Sequence, residues 1–249
     1  MNELLFGYHA VQSVIRYRPG LVQKLFIQAE RRDRRMQILE ELALNQGIKI
    51  EKASRASLDD MAIGRHQGVV AVVAAVENRD GRCSNEAAFL ALVEKTHNPL
   101  LLILDGVTDP HNLGACLRSA DAAAVTAVVF PKDGNAKVNE VVRKVACGAA
   151  ETVPWVAVTN LARTIGALKQ RGIWIIGTER DAPRSLYQED LRGSCALVLG
   201  CEGTGLRRLT RDLCDFMVSL PMLGKVQSLN VSVAAGICMF EAVRQRSAD

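Results

Sequence analysis

Three segments in the second half of this 249-residue chain carry side chains whose types and spacing could do chemistry. In residues 105–118 (DGVTDPHNLGACLR), Asp109 reads as a helix cap and Pro110 as a first helical residue. Asn112 then sits in the first turn. Arg118 lies six residues on, about 120° around the axis, so its long side chain must reach to join Asn112. Residues 197–206 (LVLGCEGTGL) read as a strand running into a loop. Gly200, Gly203 and Gly205 let backbone approach a ligand, and Glu202 is a carboxylate within the loop. The spacing is G-x-x-G-x-G, the reverse of the dinucleotide fingerprint. In residues 220–231 (LPMLGKVQSLNV) a strand ends at Pro221, and Ser228 or Asn230 caps a long helix. Each feature has a plainer reading. Arg118, beside Leu117, Ser119 and Ala120, equally suits the surface of an amphipathic helix. The glycine loop equally suits a tight turn with a solvated Glu202, and Ser228 and Asn230 equally suit capping alone.

The elements around these segments must hold them at one edge of a sheet. From residue 100 the chain alternates short apolar runs with helical patterns. Strands are predicted over 100–104, 127–130, 173–177, 196–200 and 216–220. Helices are predicted over 113–123, 139–147, 161–171 and 231–246. Near-continuous apolar strands between helices imply a mostly parallel sheet covered on both faces, with ligands beyond the strands' carboxyl ends. Residues 1–76 read as a separate small α/β unit. Its helices are predicted over 8–17 and 33–45, and its strands over 22–28, 48–52 and 68–76. The polar stretch 77–85 starts a linker running to residue 97, which includes a helix over 86–95.

Composition narrows the classes of function. The 49% apolar content supports a substantial core and argues against disorder. The longest apolar run, residues 69–76, is far too short to span a bilayer, and no signal peptide is evident, so a cytoplasmic protein without membrane association is expected. Seven cysteines, an odd number with no C-x-x-C pair, argue for reduced thiols and against a disulfide framework or a zinc site. No metal is expected. The net charge of +4 is concentrated in residues 1–76, where 11 Lys/Arg meet 8 Asp/Glu. That hints at a polyanionic partner, and an ordinary solvated surface explains it equally well. The cluster Arg31, Arg32, Arg34, Arg35 likewise reads as a phosphate contact or as a solvated helix start.

Taken together and in this order, NLGACLRSA (from Asn112), LGCEGTGL (from Leu199) and LPM with SLNVSVAAG resemble the three motifs of the SpoU, or TrmH, family of RNA 2′-O-methyltransferases. No motif position departs from the pattern. The resemblance covers residues 98–249. It extends to FGYHAV at 6–11 and HQGVVA at 66–71, which look like the family's ribosomal-protein-like RNA-binding domain. It implies a trefoil-knotted α/β methyltransferase domain over 98–249, preceded by a small α/β RNA-binding domain over 1–76. It implies S-adenosylmethionine as methyl donor, held by Thr178, Gly200, Leu220, Met222 and Leu229. It implies Asn112, Arg118, Glu202, Ser228 and Asn230 as the catalytic set, acting on a ribose 2′-hydroxyl. It also implies a homodimer that uses the long C-terminal helix. Within the family the chain most resembles enzymes that methylate a guanosine in the peptidyl-transferase region of 23S ribosomal RNA.

Three rival readings remain at this point. One is 2′-O-methylation of another RNA such as transfer RNA. A second is a non-catalytic RNA-binding protein using the basic first unit alone. A third is a nucleotide-dependent oxidoreductase, against which the missing G-x-G-x-x-G counts.

Overall fold

The computed structural model describes residues 2–17, 19–31, 33–62, 66–74, 83, 85–201 and 203–247. The chain forms two compact units, Met1–Arg79 and Asp80–Asp249.

The first unit opens with β1 (Asn2–Phe6), α1 (Tyr8–Tyr17), β2 (Val22–Gln28) and α2 (Arg34–Asn45). β3 (Ile50–Ala53), α3 (Arg55–Met61) and β4 (Val69–Ala74) follow. The strands order as β1-β4-β2-β3, antiparallel except for the β2–β3 pair. Alternation along β2 and β4 sets the layers. Leu25, Ile27, Val69, Ala71 and Val73 pack with Val11, Ile15, Met36 and Leu39 of α1 and α2. Phe26 and Val70 point to the other face, against Leu58 of α3. Asp33 caps α2 by accepting from the backbone N–H of Arg35 and Met36.

The second unit is a seven-stranded, fully parallel sheet with helices on both faces. Its elements run α4 (Glu86–Lys95), β5 (Leu100–Asp105), α5 (Pro110–Ala122), β6 (Ala127–Pro131), α6 (Glu140–Ala146) and α7 (Ala149–Thr152). They continue with β7 (Trp155–Val158), α8 (Leu161–Lys169), β8 (Trp174–Thr178), β9 (Arg184–Ser185) and β10 (Cys195–Gly200). α9 (Arg208–Leu213), β11 (Phe216–Ser219) and α10 (Val231–Arg246) complete it. Leu100, Leu102 and Leu104 of β5 pack with Leu197 and Leu199 of β10 beneath α5 and α10. Leu101 and Ile103 pack with Ala196 and Val198 on the opposite face, with Phe89 of α4 and Ile165 of α8. Each such buried Leu or Ile contributes about 1.5–3 kcal/mol relative to exposure.

The strand order is β7-β6-β5-β10-β8-β11-β9. The chain runs outward from β5 through β6 to β7, returns to β8, and inserts β10 between β5 and β8. That insertion is the topological switch point, where parallel sheets bind ligands beyond the strands' carboxyl ends. Two strands were not foreseen. Trp155–Val158 follows Pro154 and is a four-residue edge strand, too short to show a pattern. Arg184–Ser185 is a two-residue polar edge. The helix predicted over 139–147 stops at Ala146, because Cys147 and Gly148 both take positive φ and separate α6 from α7. In the first unit, β1 and α3 were also unforeseen; neither carries a long periodic stretch.

Candidate functional site

Four neighbouring strands, β5, β10, β8 and β11, deliver the chemistry-bearing segments to one edge of the sheet. β5 ends at Asp105 and leads through Gly106 and Asp109 into α5, where Pro110 starts the helix. Asp109 accepts from the His111 backbone N–H at 2.9 Å, and this bond chiefly holds its carboxyl below the ordinary range. Asn112 is buried in the first turn of α5. Arg118 is exposed on the same helix and forms no hydrogen bond or ion pair among the described residues. The six-residue spacing thus separates a buried amide from a solvent-facing guanidinium.

β10 leads into the glycine loop. The loop doubles back so tightly that a Cβ on Gly200 would overlap the backbone of Gly205 and Leu206, far inside 3.0 Å. The Gly205 N–H donates to the Cys201 carbonyl at 3.1 Å and closes the turn. Gly203 and Gly205 have φ of 91° and 71°, which L-residues with side chains rarely adopt. The candidate acid–base residue Glu202 lies outside the described residues.

The third segment separates the two caps that the sequence left open. Asn230 caps α10 by accepting from the Ser232 backbone N–H at 2.9 Å, whereas Ser228 is exposed in the preceding loop. Asn230 has a second task. Its Nδ2 donates to Asn112 Oδ1 at 2.9 Å, tying the start of α10 to the start of α5. The first and third motifs, 118 residues apart in sequence, therefore meet through one amide pair. A short step along the same two helices, a Cβ on Gly236 would lie 3.8 Å from Ser119 Oγ, so the helices run close.

Of the five candidate donor-side residues, Thr178, Gly200 and Leu220 lie at the carboxyl ends of β8, β10 and β11, and Met222 and Leu229 lie in the segment between β11 and α10. Thr178 ends β8, and its hydroxyl donates to the Val198 carbonyl at 3.2 Å. Gly200 ends β10, and Leu220 follows β11. Leu220, Met222 and Leu229 are half-buried. From Leu220 to Leu229 the chain makes no backbone–backbone hydrogen bond among the described residues. Half-buried apolar side chains beside unspent backbone donors and acceptors suit an adenine-bearing ligand. Arg180, just beyond β8, donates to Gln227 Oε1 at 3.0 Å and links two of these loops.

Sequence reasoning missed one buried pair at this edge. Asp105 is fully buried; its Oδ2 accepts from the Arg207 backbone N–H at 3.1 Å, and its Oδ1 lies 3.5 Å from Arg207 Nη1. A carboxylate closing an otherwise apolar strand was the available signal. Among the described residues no group of three or more His, Cys, Asp or Glu is arranged to hold a metal, and no helix is long and apolar enough to cross a membrane.

In the first unit, the two segments singled out by sequence touch. The Tyr8 N–H donates to Gln67 Oε1 at 3.1 Å, and the Gly7 N–H to the Val69 carbonyl at 3.3 Å. Arg31 pairs with Asp33 and donates to the Gln67 carbonyl at 2.6 Å, and the Arg35 guanidinium lies 6.0 Å from the Tyr8 ring centre. The Arg31 bond is the main cause that holds the Asp33 carboxyl below its usual range. Part of the arginine cluster is thus engaged locally, and Arg32 lies outside the described residues.

With this geometry in place, likeness to known proteins becomes informative. Residues 99–240 match the SpoU rRNA Methylase family. The chain belongs to that family. Residues 4–79 match the SpoU-associated domain described as RNA 2′-O ribose methyltransferase substrate binding. The chain is 53% identical over 246 residues to the 23S rRNA (guanosine-2′-O-)-methyltransferase RlmB of Pseudomonas aeruginosa, covering 98% of this chain and 97% of that protein. Among solved structures, the SpoU methyltransferase AviRb of Streptomyces viridochromogenes in complex with AdoMet shares the fold. Its TM-score is 0.73 at 24% identity, covering 100% of this chain and 92% of that one. A TrmH/SpoU tRNA modifying enzyme of A. aeolicus aligns with a TM-score of 0.57 at 30% identity, over 66% of this chain and 83% of that one.

Proposed function

We propose that this SpoU-family chain transfers a methyl group from S-adenosylmethionine to the ribose 2′-oxygen of a guanosine in 23S ribosomal RNA, in the peptidyl-transferase region. The observation that carries this reading is the end-to-end likeness to the P. aeruginosa guanosine-2′-O-methyltransferase, which spans both units. The tRNA modifying relative covers only 66% of the chain, which favours the ribosomal substrate over transfer RNA. The reading makes the protein cytoplasmic.

The donor-side residues are Thr178, Gly200, Leu220, Met222 and Leu229. The fit is one of chemistry: half-buried apolar walls, and a ten-residue stretch that makes no backbone–backbone hydrogen bond among the described residues. S-adenosylmethionine, when bound, supplies an electrophilic methyl group on a sulfonium sulfur. The chain's task is then to orient the ribose and to favour the partly deprotonated 2′-oxygen. The Asn112–Asn230 pair fixes the two helix starts that frame the acceptor. Arg118 carries an exposed guanidinium on α5, unbonded among the described residues, suited to a developing alkoxide or its neighbouring phosphate and unsuited to serve as a base. Glu202, or a water it orients, is our candidate proton acceptor. Ser228, exposed and without a capping task, is the remaining acceptor-side group. A homodimer is part of the same reading, and the exposed Val233 and Phe240 on α10 offer it an apolar face.

The test is tritium transfer from labelled S-adenosylmethionine to unmodified large-subunit RNA, with mapping of the 2′-O-methyl position. Incorporation at one guanosine of 23S RNA supports the reading. Incorporation into transfer RNA alone overturns the substrate while leaving the chemistry, and failure to bind S-adenosylmethionine overturns both.

A further inference from the structure

We infer that Arg207 is an RNA-phosphate contact for this enzyme and that the buried carboxylate of Asp105 positions it. The inference rests on the RNA-methylation reading above and adds a residue outside the three motifs' polar groups. Asp105 closes β5 opposite Gly200 of β10 and is fully buried. Burying a carboxylate is expensive unless it is well paired. Here Oδ2 takes the Arg207 backbone N–H at 3.1 Å, while among the described residues Oδ1 makes no hydrogen bond and has Arg207 Nη1 as its cationic neighbour, at 3.5 Å. Both oxygens therefore address one arginine, one through its backbone and one through its guanidinium.

The arginine so held is itself half exposed, with 52% of its side chain open to solvent. Its Nη2 lies where a Cβ on Gly134 would be, at 2.5 Å, and 3.9 Å from where a Cβ on Gly106 would be. These glycines have φ of 70° and 91°. The loops after β5, β6 and β10 thus meet at the guanidinium, and where the first two approach it they carry glycine, Gly106 and Gly134. A guanidinium has five N–H donors, and Asp105 faces only one edge. The open donors point to an anion with several oxygens, for which a phosphodiester is the planar fork's natural match. The loop after β5 leads directly into α5, which carries Asn112 and Arg118. The phosphate would therefore flank the acceptor ribose.

The competing role is a lock that merely shapes the glycine loop. Full-length protein and three variants, Arg207→Gln, Arg207→Lys and Asp105→Asn, separate the two. The measurements are binding of a 23S RNA fragment as a function of salt, calorimetric titration with S-adenosylmethionine, and steady-state kinetics. We expect Arg207→Gln to raise the KM for RNA about tenfold, to leave S-adenosylmethionine affinity within about twofold, and to reduce the salt slope by roughly one unit. Arg207→Lys keeps the charge and should restore the slope. Asp105→Asn should raise the KM for RNA with the slope retained; if it does not fold, the Arg207 pair still decides. An Arg207→Gln protein with the wild-type slope and RNA KM overturns the inference. So does one whose loss falls on S-adenosylmethionine binding instead. Wild-type protein that binds RNA yet transfers no methyl group refutes the methylation reading, and the slope comparison still decides Arg207.

Discussion

Gly200→Ala tests the donor-side loop at the atom where it is most tightly built. An added methyl would overlap the Gly205 carbonyl and the Leu206 nitrogen, all backbone atoms that no rotamer change can move. The loop must retreat by roughly 1 Å or more to reach an ordinary carbon separation. Overpacking of this kind costs about 1–3 kcal/mol. The bond from the Gly205 N–H to the Cys201 carbonyl at 3.1 Å should go with it, at about 0.5–1.5 kcal/mol. The sum spans about 1.5–4.5 kcal/mol, with about 2–4 kcal/mol as its central range. If the loop stays in place, the strain falls on folding and lowers Tm by roughly 5–15 °C for a unit of this size. If the loop springs open, the same energy appears as lost donor affinity, roughly 30- to 1000-fold in Kd. Thermal unfolding and calorimetric titration with S-adenosylmethionine should together recover the total. Gly166→Ala in α8 is the control: nothing lies within 4 Å of its added methyl, and helix propensity should stabilise that variant by about 0.5–1 kcal/mol. A Gly200→Ala protein with unchanged Tm and unchanged donor affinity would refute the reasoning.

Other outcomes follow from single observations. Arg118→Ala should lose at least about a hundredfold in kcat/KM while unfolding within about 0.5 kcal/mol of wild type, because Arg118 is exposed and unbonded among the described residues; a large fall in Tm with normal turnover contradicts this. A double-mutant cycle with Asn112→Ala and Asn230→Ala should give a coupling of about 0.5–1.5 kcal/mol in stability, reflecting their 2.9 Å bond; additive losses argue against the pairing. Burial pushes the Cys116 and Cys238 thiols up to about 12, so at pH 8 only about one in 10⁴ is thiolate. Iodoacetamide with peptide mapping should label exposed Cys147 while those two stay unmodified until the protein unfolds.

How much of this was legible in the chain depended on length and apolarity. β5 and β10 each open with five consecutive buried apolar residues, 100–104 and 195–199, and such runs declare themselves without context. α10 showed its span because a capping residue, small residues and a terminal basic turn marked both ends. β7 did not, since Pro154 just before it reads as a break and its partner β6 supplies the pairing that makes it a strand. The division of α6 from α7 was invisible for a similar reason. Cys147 adopts a left-handed conformation that its type does not favour, so its residue type gave no sign of the break.

The candidate site divides along the same physical line. Residues whose role follows from chain-local geometry, such as Asp109 capping α5, could be reasoned from sequence; at Gly200 the sequence suggested close approach to a ligand, whereas the structure shows close approach of the loop's own backbone at Gly205 and Leu206. Residues whose role is a contact across the sheet could not. Capping and catalysis predicted the same residues at Ser228 and Asn230, and the structure separates them: Asn230 both caps α10 and grips Asn112, whereas Ser228 has no capping task. Asp105 and Arg207 are 102 positions apart, and neither is unusual alone. Their pairing requires β10 to be inserted beside β5, a consequence of strand order that no local pattern contains. That insertion brings the amide pair, the glycine loop and the Asp105–Arg207 pair to one edge. It gives the motifs a common address, and any variant that shifts β10 relative to β5 should disturb all three together.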